Sequence, residues 1–236
     1  DSPSCRACIA LQGAQILQYQ PKHRANSLLW LSKANTGQVG KALRGGIPLC
    51  FPWFGTHPQG LQPAHGFARN QIWELQNVSY DEAQAIHHVD FILQDSPETR
   101  KIWSHAFRLK LRISCGISLN LDLQVENIGS QAFEFSFAWH SYFPAHTMQA
   151  RIIGLNGLDY IDQLDQNKIK QQTEAEITFD AELDRIYSHT AGQFVLQQGN
   201  EQSTRIASSA KSAVIWNPWV DKAKRMADVA DEAWRD

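Results

Sequence analysis

No apolar run in this chain approaches the about 20 residues that a membrane-spanning helix needs. A leader signal is also missing at the start: Asp1 to Cys8 is polar, and Leu11 to Gln20 is interrupted by glutamines. A cytoplasmic location is therefore expected. Charge imbalance is absent too, with 22 Lys and Arg against 24 Asp and Glu for a net charge of −2. Without a basic excess, neither nucleic acid nor a membrane surface is an expected partner, and an anionic ligand would have to be gripped by individual arginines.

Cysteine is sparse, at positions 5, 8, 50 and 115. Cys5-Arg-Ala-Cys8 has the C-x-x-C form, but it lies in a strand-like alternation of Cys5, Ala7, Ile9 and Leu11. That pattern puts the two thiols on opposite faces and argues against a redox pair. No second pair completes a zinc set, so free structural thiols are expected. His87 and His88 are adjacent and would point opposite ways in a strand. His57, His65, His105, His140, His146 and His189 lack close ligand spacing, so no metal is expected.

Strand periodicity dominates what is there. Leu109, Leu111, Ile113 and Cys115 alternate with Arg108, Lys110, Arg112 and Ser114. After Gly116, Leu119, Leu121, Leu123 and Val125 alternate with polar residues, which predicts an antiparallel hairpin with one wet face. Further strands are predicted at residues 7–31 around a turn at Gly13, at 73–78, at 85–93, and at 133–139 with Phe133, Phe135, Phe137 and Trp139 on one side. Short strands are expected at 151–155, 177–179, 194–196, 204–207 and 213–216. Residues 94–100 read as a turn. Only the neighbourhood of Ser209 and residues 223–234 offer a helical choice. Many strands and few helices over 236 residues, with 43% hydrophobic content, predict a single all-β domain spanning 1–236, a large antiparallel β-sandwich.

The stretch from Arg44 to Trp73 departs from that rhythm. It holds four prolines (48, 52, 58, 63) and five glycines (45, 46, 55, 60, 66), too many for a helix. A plain connector could share that composition. Five large rings, Phe51, Trp53, Phe54, Phe67 and Trp73, argue against a solvated linker. Among them sit Arg44, His65 and Arg69. If His65-Gly-Phe-Ala-Arg69 is extended, His65 and Arg69 share a side about one strand repeat apart. A fourth reactive group, His140, ends the strand at 133–139 on its less greasy face, beside small residues that leave room. A lone histidine there is more often structural, yet imidazole is the usual proton carrier near neutrality. Asp184 lies in Glu182-Leu-Asp-Arg-Ile-Tyr187, which could equally be a solvated turn with an Asp–Arg pair.

Taken together, RGGIPLCFPWFG (44–55), HGFAR (65–69), WHSYF (139–143), LNGLDYID (155–162), ELDRIY (182–187) and SAVIWNPW (212–219) resemble the aldose 1-epimerase superfamily, in particular its hexose-6-phosphate epimerase branch. The resemblance implies a galactose mutarotase-like supersandwich and an isomerase that interconverts the α and β anomers of a hexose 6-phosphate, with glucose 6-phosphate the expected substrate. It implies His140 as general acid, His65 as the second active-site histidine, Asp184 as the holder of sugar hydroxyls, and Arg44 and Arg69 as pocket arginines suited to phosphate. No cofactor is implied, and a monomer is expected. The family's general base is a glutamate that would lie beyond Asp236, with Glu232 too early in the pattern; the chain is expected to be trimmed at both ends. Two other readings stay open on the residues: a sugar-binding or regulatory sandwich without turnover, and a mutarotase of free aldohexoses.

Overall fold

The computed structural model describes residues 1–199 and 202–229. They divide into two compact units, residues 1–31 with 35–143 and residues 32–34 with 144–236, the latter described as far as residue 229. The expected all-β class holds. Among the described residues, helix is confined to two short α-helices and two single 3-10 turns.

The first unit is built around a four-stranded antiparallel meander, β4-β5-β6-β7. Its β1 (Cys5–Ile9) and β2 (Ile16–Pro21) form a separate hairpin, and β3 (Leu49–Cys50) precedes the meander. The meander strands are β4 (Glu74–Asp81), β5 (Ile86–Gln94), β6 (Phe107–Cys115) and β7 (Leu119–Asn127). The predicted hairpin is β6-β7, in unbroken register from Phe107 opposite Asn127 to Cys115 opposite Leu119. Alternation sorts its faces: Phe107, Leu109, Leu111 and Ile113 are buried, while Arg112 pairs outside with Asp90 through two bonds of 2.7 and 3.0 Å. The expected split of the first two thiols is also found, Cys5 buried and Cys8 exposed, and all four cysteines are free.

The aromatic stretch supplies the core of this unit. Phe51 is fully buried and meets Trp103 edge-on at 5.7 Å and Phe107 at 5.7 Å. Phe67 and Trp53 pack alongside. Truncating a ring buried like that of Phe51 costs about 3–5 kcal/mol, so this loop is anchored as firmly as a strand.

Three sequence expectations fail in this unit. Residues 133–137 form no strand; only β8 (Ala138–Trp139) pairs, with Leu49 and Cys50. The phenylalanines still form a ladder of rings, Phe133 to Phe135 at 6.2 Å and Phe135 to Phe137 at 6.4 Å, but Phe135 and Phe137 are exposed. The expected turn at 94–100 contains the helix α1 (Pro97–Ile102), started by a reciprocal cap between Ser96 and Thr99 with Pro97 at its first position. Residues 27–32 make only an isolated bridge, Leu31 to Gly45.

The second unit holds β9 (Arg151–Ile153), β10 (Asp159–Asp162), β11 (Lys168–Gln171), β12 (Glu176–Ile177), β13 (Leu183–Ser188), β14 (Gln193–Gly199), β15 (Gln202–Ala207) and β16 (Ser212–Asn217). They form two four-stranded sheets in the orders β12-β9-β14-β15 and β11-β10-β13-β16. Leu155, Tyr160, Ile177, Leu183 and Tyr187 make its core. Glu182 to Tyr187, open to a turn reading from sequence, is mostly strand. Ser209 is not helical; the short helix α2 (Trp219–Ala223) ends where a helix was expected to begin, and residues 230–236 of that expectation lie outside the described residues. No helix among the described residues is long and apolar enough to cross a membrane.

Candidate active site

Arg44, His65, Arg69 and His140 all lie in the first unit, and the chain brings them together by an unexpected route. HGFAR is not extended. His65 takes a left-handed φ of 65°, Gly66 follows at 68°, and Ala68–Asn70 is a 3-10 turn. A β-carbon on Gly66 would lie 2.1 Å from the Phe51 carbonyl oxygen, so only glycine fits there. The close approach has a purpose in the packing: the amides of Phe67 and Ala68 both donate to the Phe51 oxygen, at 2.9 and 3.1 Å. Phe67 thus points into the core, while His65 and Arg69 stay at its margin. A left-handed histidine costs on the order of 1–3 kcal/mol, and such strain collects at functional positions.

His65 is fixed by a reciprocal pair of bonds with Gly55. Its backbone N–H donates to the Gly55 oxygen at 2.7 Å, and the Gly55 N–H donates to its ring Nδ1 at 3.2 Å. An accepting Nδ1 assigns the proton of the neutral ring to Nε2, which leaves His65 as a donor on that side.

His140 follows β8, and its backbone N–H donates to the Pro48 oxygen at 3.0 Å. Its imidazole meets that of His65 edge to face, centroids 5.8 Å apart. Its flat side stacks on Tyr142 at 4.6 Å, with only 13° between the planes. The Tyr142 hydroxyl accepts from Arg44 Nη1 at 2.8 Å. Arg44 itself is clamped through its backbone: the Asn35 side chain accepts from its N–H at 2.8 Å and donates to its carbonyl at 2.9 Å. Gln15, fully buried, donates to the neighbouring Gly45 carbonyl at 2.8 Å. The other arginine, Arg69, sends Nη2 to the Ala64 carbonyl at 3.0 Å, beside His65.

Backbone bonds lock these segments to each other. Gly46 N–H donates to Trp30 oxygen at 2.7 Å, Trp30 N–H to Tyr142 oxygen at 3.0 Å, and Tyr142 N–H to Gly46 oxygen at 2.9 Å. The three residues close a ring of amides. Gly46 is left-handed at φ 63°, and a β-carbon there would lie 2.1 Å from the Ile16 oxygen.

Electrostatics follow from this crowding. Burial, then Arg69 and Arg44, push the His65 imidazole down to about 4. Burial, then His65 and the same two arginines, push His140 down to about 3. Both rings are neutral at pH 7 while both guanidiniums are charged. Cys50, buried beneath, has its thiol pushed up to about 11 by burial against the pull of Arg69, so it is an inert thiol. Burial also raises the Tyr142 phenol, which stays protonated.

Asp184 lies in the second unit, on β13 opposite Trp216 of β16. Gln163 Nε2 donates to its Oδ1 at 2.6 Å. Its carboxyl is pushed up by burial, against the pull of the Gln163 bond and of Lys222. Lys222 pairs with Glu182 at 2.6 Å and lies 5.9 Å over the Trp216 ring. An Asp184–Arg185 surface pair, the alternative open from sequence, is not formed: Arg185 instead bonds Gln172 at 3.1 Å and lies over Tyr160. Glu232 and any base beyond Asp236 lie outside the described residues. Among the described residues no group of three or more His, Cys, Asp or Glu is placed to hold a metal ion.

Two residues escaped the sequence reading. Asn35 sits in a polar loop with no signal to set it apart. Tyr142 is two positions from His140, the spacing that can bring two side chains to one side of an extended chain.

The family model described as aldose 1-epimerase matches residues 1–236. A protein of Cenchrus ciliaris named "Putative glucose-6-phosphate 1-epimerase" is 34% identical over 244 residues, covering 98% of this chain and 73% of that protein. A Salmonella typhimurium protein of the same name is 33% identical over 238 residues, covering 100% of this chain and 78% of its own. The crystal structure of a "putative mutarotase" from Salmonella typhimurium matches with a TM-score of 0.92 at 32% identity, over 100% of this chain and 78% of that one.

Proposed function

The chain belongs to the aldose 1-epimerase family, and from that premise we propose that it interconverts the α and β anomers of a hexose 6-phosphate, glucose 6-phosphate foremost. Its strands are those of the galactose mutarotase-like sandwich. In this reading the C1–O5 bond of the pyranose breaks as a base takes the proton of the anomeric hydroxyl and an acid protonates O5. The open aldehyde turns about C1–C2, and reclosure runs the same transfers backwards onto its other face. His140 is the acid at O5. His65, donating through Nε2–H, holds the ring oxygen or a hydroxyl. Arg44 and Arg69 receive the phosphate, and Asp184 binds sugar hydroxyls.

One observation carries the reading: two imidazoles kept neutral by burial stand beside two guanidiniums that lower their pKa further. A phosphate dianion would oppose their charge and shift both imidazoles towards proton uptake. A plain sugar brings no such charge, so in this reading phosphate recognition and acid catalysis are coupled.

Exchange of magnetisation between the anomeric signals of glucose 6-phosphate tests this, with glucose as the comparison. No exchange above the spontaneous rate in the full-length protein would remove the reading and favour a binding module without turnover. Arg44→Ala and Arg69→Ala should lower kcat/KM about 10- to 100-fold on the phosphosugar. Equal losses on plain glucose would instead indicate a free-hexose mutarotase. A cytoplasmic location and a monomeric state complete the proposal; size-exclusion chromatography with light scattering tests the second.

A further inference from the structure

Tyr142 touches both halves of the chemistry. Its ring is the middle of three: Trp30 lies on it at 5.9 Å and His140 at 4.6 Å, the latter nearly parallel. Its backbone is held at both its N–H and its carbonyl in the ring of amides, which fixes where the side chain leaves the chain. Its hydroxyl oxygen accepts from Arg44, and the guanidinium carbon stands 5.9 Å from the ring centre. A phenol that accepts one bond still has a proton to give. That proton has no acceptor among the described residues, although the group is only half-buried and next to a cation. A ligand oxygen held by Arg44 would accept it.

We propose that Tyr142 is a third anion-binding residue and at the same time the positioning residue of His140: its O–H donates to the oxygen anion that Arg44 grips, and its ring fixes the plane of the imidazole. The inference rests on the assignment of Arg44 and His140 above. It adds that sugars are sorted through a neutral donor as well as through charge. The hydroxyl end senses the phosphate, and the ring end holds the proton carrier, 4.6 Å away.

Two substitutions separate the ends. Tyr142→Phe keeps the stack and removes the hydroxyl. Tyr142→Leu removes the stack as well. Inorganic phosphate binding by calorimetry should weaken about tenfold in Tyr142→Phe, while the His140 ring-proton resonances stay at their wild-type positions. In Tyr142→Leu those resonances should move downfield as the ring current is lost, and kcat should fall at least about tenfold below that of Tyr142→Phe. Wild-type phosphate affinity in Tyr142→Phe would overturn the donor role. Unmoved His140 resonances with unchanged kcat in Tyr142→Leu would overturn the positioning role. Should Tyr142→Leu fail to fold, the nearly isosteric Tyr142→Phe still decides the donor role, and Tyr142→Trp, which restores a stacking ring, decides the other by keeping the upfield His140 signals or losing them. Phosphate binding and ring resonances are read without turnover, so a wild-type protein lacking anomer exchange would sink the function proposed above and leave these measurements valid.

Discussion

The imidazoles of His65 and His140 meet edge to face, centroids 5.8 Å apart with 78° between their planes. Two bases so close cannot both take a proton without repulsion, and each guanidinium nearby adds to the cost. The pair therefore holds no proton near neutrality.

Removing one cation tests that coupling. Arg69→Met takes away a positive neighbour of both rings, so both pKa values should rise from about 4 and about 3. Inorganic phosphate should act in the same direction on the unaltered protein, by offsetting the charge. NMR titration of the two ring Cε1 protons measures both effects. Values that fail to rise would break the link between anion binding and proton uptake.

Acid should destabilise the first unit earlier than its carboxylates demand. Both histidines bind a proton less readily folded than unfolded, where the pKa is about 6.5. Stability is then complete above pH of about 6.5 and declines as pH falls towards about 4 for His65 and about 3 for His140. In that window each contributes a slope of up to about 1.4 kcal/mol per pH unit. Urea midpoints between pH 7 and pH 4 measure the decline, and His65→Asn should flatten part of it. A flat profile in the parent protein would contradict the depressed values.

His140→Asn keeps the size of the ring's polar edge and abolishes proton transfer. Anomer exchange should slow about 10²- to 10⁴-fold, with phosphate binding retained. An unchanged rate would remove His140 as the acid.

Gly66→Ala should cost at least about 2 kcal/mol, because the new β-carbon meets the Phe51 oxygen and the backbone stays left-handed. A thermal midpoint lower by several degrees is expected, with anomer exchange falling as His65 loses its setting. A neutral substitution would mean that the turn can move away from Phe51.

How much of this was legible varied with the physics behind each pattern. The β6-β7 hairpin was plain because one face is buried in β6 and half-buried in β7, and the other carries Arg108, Lys110 and Arg112. The alternation at Phe133–Phe137 looked the same, but it lines up rings without a strand ladder, and periodicity reports only the side chains. The helix α1 was missed because Ser96-Pro97 opens a turn and a helix with the same residues. Strands β10 and β11 were hidden by a polar composition that suits their half-exposed sheet. At the site, Arg44, His65, Arg69 and His140 stood out by resemblance, whereas their convergence depends on a left-handed His65-Gly66 step that spacing along an extended chain could not foresee. Asn35 and Tyr142 act through contacts at sequence separations of 9 and 98 residues, which no local pattern encodes.

The amide ring of Trp30, Gly46 and Tyr142 uses no side-chain atom. At Trp30 and Tyr142 every replacement except proline preserves these donors, while Gly46 must stay glycine. What is displayed at positions 44, 140 and 142 can therefore be exchanged while the frame that aims it persists. A new sugar preference in this protein calls for different groups on an unchanged mount, and such variants should inherit its geometry from the start.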